Sequence, residues 1–254
     1  MTTPISMNLP FLQRSKTQKV HLPKNTFLTV DIHSHILPNL DNGPDTLEES
    51  IGLLREIAAD GIRKVITTPH VMGDFYRNSH NAIQIAQEQF VREVQKRSIP
   101  IAIEVAAEYY VDVSLVVLLE NQSPLLTFGG KYLLFETSVV TMPSFLIEVI
   151  KQIQNRGLLP VMAHPERYHY LQQDKKLTHL LHDMGVLFQV NIPSLQSPHQ
   201  LTKEMSEYLV VNKMVNFLGS NTHNRNEWAA TRQAMQSKYY QTALDNGILN
   251  QTLL

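Results

Sequence analysis

Leu146-Ile-Glu-Val-Ile-Lys-Gln-Ile-Gln-Asn155-Arg-Gly157-Leu-Leu-Pro160-Val-Met-Ala163-His164 is the stretch that decides how this chain is built. Leu146, Ile150 and Ile153 recur at helical spacing, so they predict one apolar face of an amphipathic helix. Gly157 follows, as expected of a residue that takes up the left-handed conformation where a helix stops. Pro160–Ala163 is a short apolar run that predicts a strand, and a polar imidazole, His164, stands at its end.

The same order of helix, glycine and strand recurs at Gly61 and Gly185. Leu47, Ile51 and Leu54 fall on one helix face, Ile83, Phe90 and Val94 on another, and Thr46 with Glu49 reads as a capping box. Further strands are expected near Phe27–Ile32, Lys64–Thr68, Ile101–Ala106, Tyr132–Glu136, Leu187–Asn191 and Asn216–Gly219. Repeated helix–glycine–strand units predict an α/β fold with parallel strands. Polar residues end almost every strand, which points to a barrel rather than an open doubly wound sheet. Gly129-Gly130 is a lone pair entering a strand and predicts a turn, not a phosphate loop.

The composition excludes several classes of function. Hydrophobic residues make up 43% of the 254 and charged residues 18%, a globular balance. A net charge of -1 argues against a general nucleic-acid binder, which needs an excess of Lys and Arg. With no cysteine there are no disulfides, thiolate ligands or cysteine nucleophiles. No apolar run approaches the roughly 20 residues that span a bilayer. Residues 1–27 contain Pro4, Pro10 and Pro23 with Arg14, Lys16 and Lys19, and lack the pattern of a secretory signal. They are expected to form a flexible arm before a single domain, 28–254, in a cytoplasmic protein.

The strand ends carry the chemistry. Val30-Asp31-Ile32 leads into His33-Ser34-His35, Ile66-Thr67-Thr68-Pro69 into His70, and Val105-Ala106-Ala107 into Glu108. Leu133-Leu134-Phe135 leads into Glu136, Val161-Met162-Ala163 into His164, and Phe217-Leu218-Gly219 into His223. In a parallel barrel all these ends lie on one face, where distant parts of the chain converge. His33 and His35, two apart on extended backbone, point to the same side and can chelate one ion. A nitrogen and oxygen donor set without sulfur suits Zn²⁺, Mn²⁺ or Fe²⁺. The remaining histidines, His21, His80, His169, His179, His182 and His199, are expected to be ordinary surface or packing residues.

Asp31-Ile-His-Ser-His35, Thr67-Thr-Pro-His70, Ala107-Glu108-Tyr-Tyr, Phe135-Glu136-Thr-Ser, Ala163-His-Pro-Glu-Arg-Tyr168 and Gly219-Ser-Asn-Thr-His-Asn224 together resemble the polymerase and histidinol phosphatase (PHP) superfamily. Within it, the chain resembles the manganese-dependent protein tyrosine phosphatases of bacterial capsule and exopolysaccharide operons, over residues 28 to 245. That resemblance implies a distorted (β/α)7 barrel with up to three ions, Mn²⁺ before Zn²⁺ or Fe²⁺. It implies a first ion on His33, His35 and Glu108, a second on Glu108, Glu136 and His164, and a third on His70 and His223. It further implies phosphomonoester hydrolysis by a hydroxide held between ions, with Arg167 clamping the phosphate. The implied substrate is phosphotyrosine in a protein tail, such as that of a bacterial tyrosine kinase.

The chain departs from the family pattern at three places. Asn42 and Asn221 stand where an Asp is usual, and an amide oxygen brings no negative charge to a metal. The family's second arginine is out of register: Trp228 occupies about its place, and Arg225 is the nearest basic residue able to bind substrate. Two alternatives follow. One is an attenuated or inactive relative that binds a phosphoprotein. The other is a small-molecule phosphatase of the histidinol-phosphate type. Tyr109, Tyr110, Phe75, Tyr76 and Tyr168 near the strand ends suit an aromatic phosphoester.

Overall fold

The computed structural model describes residues 27–254, so the expected arm lies outside the described residues except for Phe27. Seven runs of extended chain carry the architecture, and two of them are interrupted. β1 is Val30–Asp31; the second run is β2 (Lys64–Thr67) and β3 (His70–Val71); the third is β4 (Ala102–Val105) and β5 (Glu108–Tyr110). β6 (Tyr132–Glu136), β7 (Leu159–Ala163), β8 (Leu187–Asn191) and β9 (Val215–Gly219) complete the set. Every pairing among them is parallel.

The interruptions split the ladder into two sheets, ordered β1-β2-β4 and β3-β5-β6-β7-β8-β9. The first falls at Thr68-Pro69, where proline has no N–H to give to a ladder. There Thr68 N–H turns to Ser34 O at 2.7 Å, while Pro69 O accepts from Glu108 N–H at 3.1 Å. β1 and β9 share no strand ladder. A parallel bridge between Ser34 and Thr222 joins them just past their ends, with His35 N–H donating to Thr222 O at 2.9 Å. Buried Asp31 ties the same seam, accepting from Ser220 N–H at 2.9 Å and from its hydroxyl at 2.5 Å. The ring of strands is therefore distorted, without a regular closing ladder.

Alternation along the strands sorts the core into two layers. Val30, Ile66, Leu134, Val161, Ala163 and Phe217 face inward with Phe128 and Tyr132. Leu133, Phe135, Met162 and Phe188 face outward under the helices. Residues 249–253 form a 3-10 turn below the inner layer. Asn250 fixes it there by donating to Val30 O and Leu218 O, and Leu253 joins the inner cluster.

The helices lie outside: α1 (Leu47–Ala59), α2 (His80–Lys96), α3 (Val113–Glu120), α4 (Leu146–Asn155), α5 (His169–Gln173), α6 (Lys175–Asp183), α7 (Gln200–Val211), α8 (Arg225–Ala234) and α9 (Lys238–Asp245). The expected faces are buried: Ile51 and Leu54 on α1, Ile83, Phe90 and Val94 on α2, and Leu146, Ile150 and Ile153 on α4. Each such side chain contributes about 1.5–3 kcal/mol. The capping box forms at Thr46 and Glu49. Gly61, Gly157 and Gly185 take φ of 95°, 73° and 87°, so the three expected helix stops are left-handed residues.

Candidate metal centre

Burial and the strand ends bring the predicted residues together. His33, His35, Glu108 and His164 are each no more than 2% exposed. Glu108 is the hub. Its Oε2 lies 3.1 Å from His33 Nε2, 3.3 Å from His35 Nε2 and 3.3 Å from His70 Nε2, and its Oε1 lies 2.9 Å from His164 Nε2. Glu136 stands behind, 3.5 Å from His70 Nε2 and 3.8 Å from His164 Nε2. His223 joins by stacking on His35, ring centres 4.2 Å apart and planes 5° from parallel.

The Nδ1 atoms of His33, His35, His70 and His223 are held from outside, whereas that of His164 is buried without a partner. Gln189 Oε1 lies 2.7 Å from His33 Nδ1 and also accepts from His164 N–H at 3.4 Å, so the atom facing both is the oxygen. Asp41 Oδ2 lies 2.7 Å from His35 Nδ1 and 3.2 Å from His70 Nδ1, and accepts from His70 N–H at 2.9 Å. Glu227 Oε2 lies 2.9 Å from His223 Nδ1. An acceptor at Nδ1 keeps the proton there and leaves the Nε2 lone pair for a ligand, which is the usual arrangement of metal-binding histidines.

These contacts test whether the donor set fits a cation. Three Nε2 lone pairs meet one carboxylate oxygen, and lone pairs facing one another repel. A divalent cation among them resolves the conflict, whereas three imidazolium rings so close would repel. His223 Nε2 and Asn221 Oδ1 are also buried with no hydrogen-bond partner. The residues present therefore fit a metal. Donor atoms of His33, His35 and Glu108 lie within 4.8 Å of one another, as do those of His35, Asp41 and His70, and of His70, Glu108 and Glu136. The sets overlap. His70 stands nearer Glu108 and Glu136 than the expected pairing with His223 suggests, its ring centre being 6.4 Å from that of His223.

The electrostatics follow the same geometry. In the metal-free chain burial pushes the Glu108 carboxyl up, but protons on the facing His33, His164 and His35 rings, which a bound cation would replace, outweigh it and hold the group well below its ordinary range. Glu136 lies beside that charge. Burial and then repulsion by Glu108 push it up to about 8. Burial brings His164 down to about 4, favouring the neutral ring that can bind a metal. Burial also raises Asp41, yet the His35 charge and hydrogen bonds from His35 and His70 win, and the net shift is downward.

A cavity of about 550 Å³ opens over this cluster, lined by His70, Glu108, Glu136, His164, His223 and Arg167 among others. Arg167 comes from the 3-10 turn Pro165–Arg167, whose sharp start puts His164 in the left-handed region at φ 35°. Asn42 and Asn221 both line the cavity, and Asn221 is left-handed too, at φ 50°.

Arg225 is not among the residues lining this cavity. It pairs with Glu56 and lines a neighbouring cavity of about 420 Å³. Trp228 is buried, with its indole N–H on Asp60 at 2.7 Å. None of the five aromatic residues expected beside the substrate lines this cavity. The Tyr109 and Tyr168 hydroxyls accept from Leu126 and Thr137 N–H inside the core, Tyr76 stacks on His70, and Phe75 stands 79% exposed. The outer wall is instead Asn191, Ser194, Gln196, Thr202 and Gln233, with His199, a histidine expected to be ordinary.

Sequence reasoning missed three supporting residues, Asp41, Gln189 and Glu227. Asp41 had a signal, because Gly43 beside it permits a tight turn. A Cβ at Gly43 would lie 2.2 Å from His35 O. Gln189 and Glu227 carry no local motif.

The chain resembles known proteins in sequence and fold. The chain is 30% identical to the tyrosine-protein phosphatase YwqE of Bacillus subtilis over 196 residues, 77% of each chain. It is 30% identical to the tyrosine-protein phosphatase CpsB of Streptococcus agalactiae over 202 residues, 77% of this chain and 83% of that protein. A chain from the crystal structures of B. subtilis YwqE and Streptococcus pneumoniae CpsB, described as metal-dependent tyrosine phosphatases, superposes with a TM-score of 0.77. That match has 26% identity and covers 89% of this chain and 94% of the other. An amidohydrolase from Mycoplasma synoviae, 13% identical with a TM-score of 0.52, shares the fold over 89% of this chain and 84% of its own. The model of the capsular polysaccharide synthesis family CpsB/CapC matches residues 29–249, and the chain belongs to that family.

Proposed function

We propose that residues 28–254 act as one metal-dependent phosphatase domain that removes phosphate from tyrosine in proteins. The observation that carries this reading is the convergence of four imidazole nitrogens on Glu108, in a chain whose named relatives are tyrosine-protein phosphatases. His33, His35, His70, Glu108, Glu136, His164 and His223 would hold up to three ions, with Mn²⁺ favoured over Zn²⁺ or Fe²⁺. Such ions lower the pKa of water and offset charge on phosphoryl oxygens.

The chain's own groups do the rest. Arg167, on the cavity rim, offers a planar fork of N–H donors to the phosphate. Gln189, Asp41 and Glu227 keep protons on Nδ1 and so aim the Nε2 lone pairs inward. The proposed partner is a phosphorylated protein tail, such as that of a bacterial tyrosine kinase, met in the cytoplasm. Among the described residues no helix is long and apolar enough to cross a membrane.

The test uses the full chain stripped of metal and then given Mn²⁺, Zn²⁺ or Fe²⁺ separately. Phosphate release is followed from a phosphotyrosyl peptide, a phosphoseryl peptide and histidinol phosphate. Restoration by Mn²⁺, fastest on the phosphotyrosyl peptide, is the expected result. No release with any metal would sink the reading. A second reading, an attenuated enzyme that mainly binds phosphoprotein, is favoured by Asn42 and Asn221 on the cavity wall. Elemental analysis separates the two: three ions per chain supports full activity, and a single tightly held ion supports attenuation.

A further inference from the structure

Glu227 stands at the third position of α8, half-exposed, beside a histidine whose inner nitrogen has no partner. Its Oε2 accepts from His223 N–H at 2.8 Å and lies 2.9 Å from His223 Nδ1, while its Oε1 accepts from Asn224 Nδ2 at 3.0 Å. The carboxylate therefore grips both the backbone and the ring of His223. With Nδ1 protonated, the buried Nε2 presents a lone pair, and the buried Oδ1 of Asn221, two residues away, presents another. Both residues line the cavity over Glu108.

We propose that Glu227 is a positioning residue for a metal ion held by His223. It fixes the ring's tautomer and orientation, and it supplies from behind the imidazole some of the negative charge that Asn42 and Asn221 do not bring. The inference rests on the metal reading above. A carboxylate behind a ligating histidine makes the ring a stronger donor, and loss of such a partner typically costs 10–100-fold in metal affinity.

A plainer role competes with this one. Asn224 caps α8 by accepting from Asn226 and Glu227 N–H, and a glutamate three residues after the cap commonly reaches back to close the turn. Glu227 would then serve helix stability alone. The two roles differ in what they need. Closing the turn needs an acceptor oxygen, whereas strengthening the imidazole needs a charge.

Glu227→Gln separates them, because the amide keeps an acceptor oxygen and the side-chain length but loses the charge. Glu227→Leu removes both. Mn²⁺ alone is titrated into metal-free wild type and both variants by calorimetry and by loss of the free-ion EPR signal. Urea unfolding of the same metal-free proteins follows the helix cap. Side-chain ¹⁵N spectra report the His223 tautomer before any metal is added. The expected result is an Nδ1–H ring in wild type and unchanged stability in Glu227→Gln. One ion should bind at least tenfold more weakly in that variant, and more weakly still in Glu227→Leu. Equal Mn²⁺ number and affinity in wild type and Glu227→Gln would overturn this inference and leave the metal reading standing. A wild type that takes up no Mn²⁺ would overturn both. Affinity lost only in Glu227→Leu, in step with its stability, would leave the helix cap as the role of Glu227 and overturn the proposal.

Discussion

Gln189 aims His33: its carbonyl oxygen lies 2.7 Å from Nδ1 of that ring and is pinned there by the backbone N–H of His164. Two of the proposed ligands, far apart in the sequence, thus share one buried amide, whose own N–H₂ donates to Asn191 at 3.0 Å. Gln189→Leu, similar in size, removes the acceptor and frees the His33 ring to turn. Mn²⁺ affinity should fall by roughly 10–100-fold. Unpaired polar atoms left in the core should lower stability by about 1–3 kcal/mol. Metal titration and urea unfolding check the two effects, and an unchanged Mn²⁺ affinity would refute the role assigned to Gln189.

Gly219 guards the same pair by its lack of a side chain. A Cβ there would stand 2.7 Å from His33 Cβ and 2.8 Å from Gln189 Nε2. Neither atom is the far end of a free side chain, since the ring and the amide hold each other. Gly219→Ala should therefore destabilise the metal-free protein by about 1–3 kcal/mol and weaken Mn²⁺ binding at His33. Thermal unfolding with and without Mn²⁺ reads both. A melting temperature equal to that of wild type would mean that the seam yields more easily than its packing implies.

The proposed ligands stand out in the sequence because most are polar residues that end or closely follow an apolar run. The seven strand runs carry the same signal, and Leu146, Ile150 and Ile153 bury as their spacing predicts. Pro69, with no N–H to give to a ladder, marks the break at Thr68-Pro69, but the break at Ala106-Ala107 was not legible. Where a run carries no proline, whether it pairs without interruption depends on its neighbours. The seam between β1 and β9 was hidden for the same reason: Asp31 and Ser220 are 189 positions apart. Gln189 sits inside a strand and reads as an ordinary half of an alternation, so its contact with His33 has no local mark. Arg225 was the converse case. Its place after His223 suggested the site, but Glu56 on α1 holds it away from the main cavity.

Arg167 is exposed on the cavity rim, and with Arg225 turned away it is the arginine that lines the cavity. Its removal should therefore spare metal binding and strike the reaction with phosphoester. Arg167→Ala should lower kcat/KM by about 100-fold or more, the scale seen when one donor to a developing charge is lost. Arg167→Lys should recover little, because a point charge does not reproduce a two-pronged fork. Steady-state kinetics alongside Mn²⁺ titration distinguish this from a ligand defect: Mn²⁺ affinity should stay within about twofold, as RT ln 2 is only about 0.4 kcal/mol.

Asn221 combines a left-handed backbone with a buried, unpartnered amide oxygen, and it lines the cavity over Glu108. Asp tolerates that conformation nearly as well as Asn, so Asn221→Asp changes charge with little change in backbone strain. Combined with Asn42→Asp, it should raise Mn²⁺ affinity by at least about tenfold, since ligand charge strengthens binding of a hard cation. Phosphatase activity at limiting Mn²⁺ should rise with it. If both variants bind Mn²⁺ no better than wild type, the two amides are not placed to act as ligands.

Glu166 gives a pH signature that does not depend on catalysis. It is fully buried, its Oε1 accepts from Asn191 N–H at 3.0 Å, and its Oε2 has no partner. Burial pushes its carboxyl up to about 7 from an ordinary 4.5. Between these pH values the folded chain holds a proton that the unfolded chain has released. Its contribution to stability is therefore complete below about pH 4.5, declines as the pH rises, and is gone above about 7. Glu166→Gln does not titrate. Relative to wild type, the metal-free variant should gain stability from pH 4.5 to 7.5, by an amount on the order of 3 kcal/mol. Glu136, pushed to about 8, tilts both proteins in the same direction, and subtraction removes it. Urea unfolding across that range makes the measurement, and a difference that stays flat with pH would show that Glu166 is ionised in the folded chain.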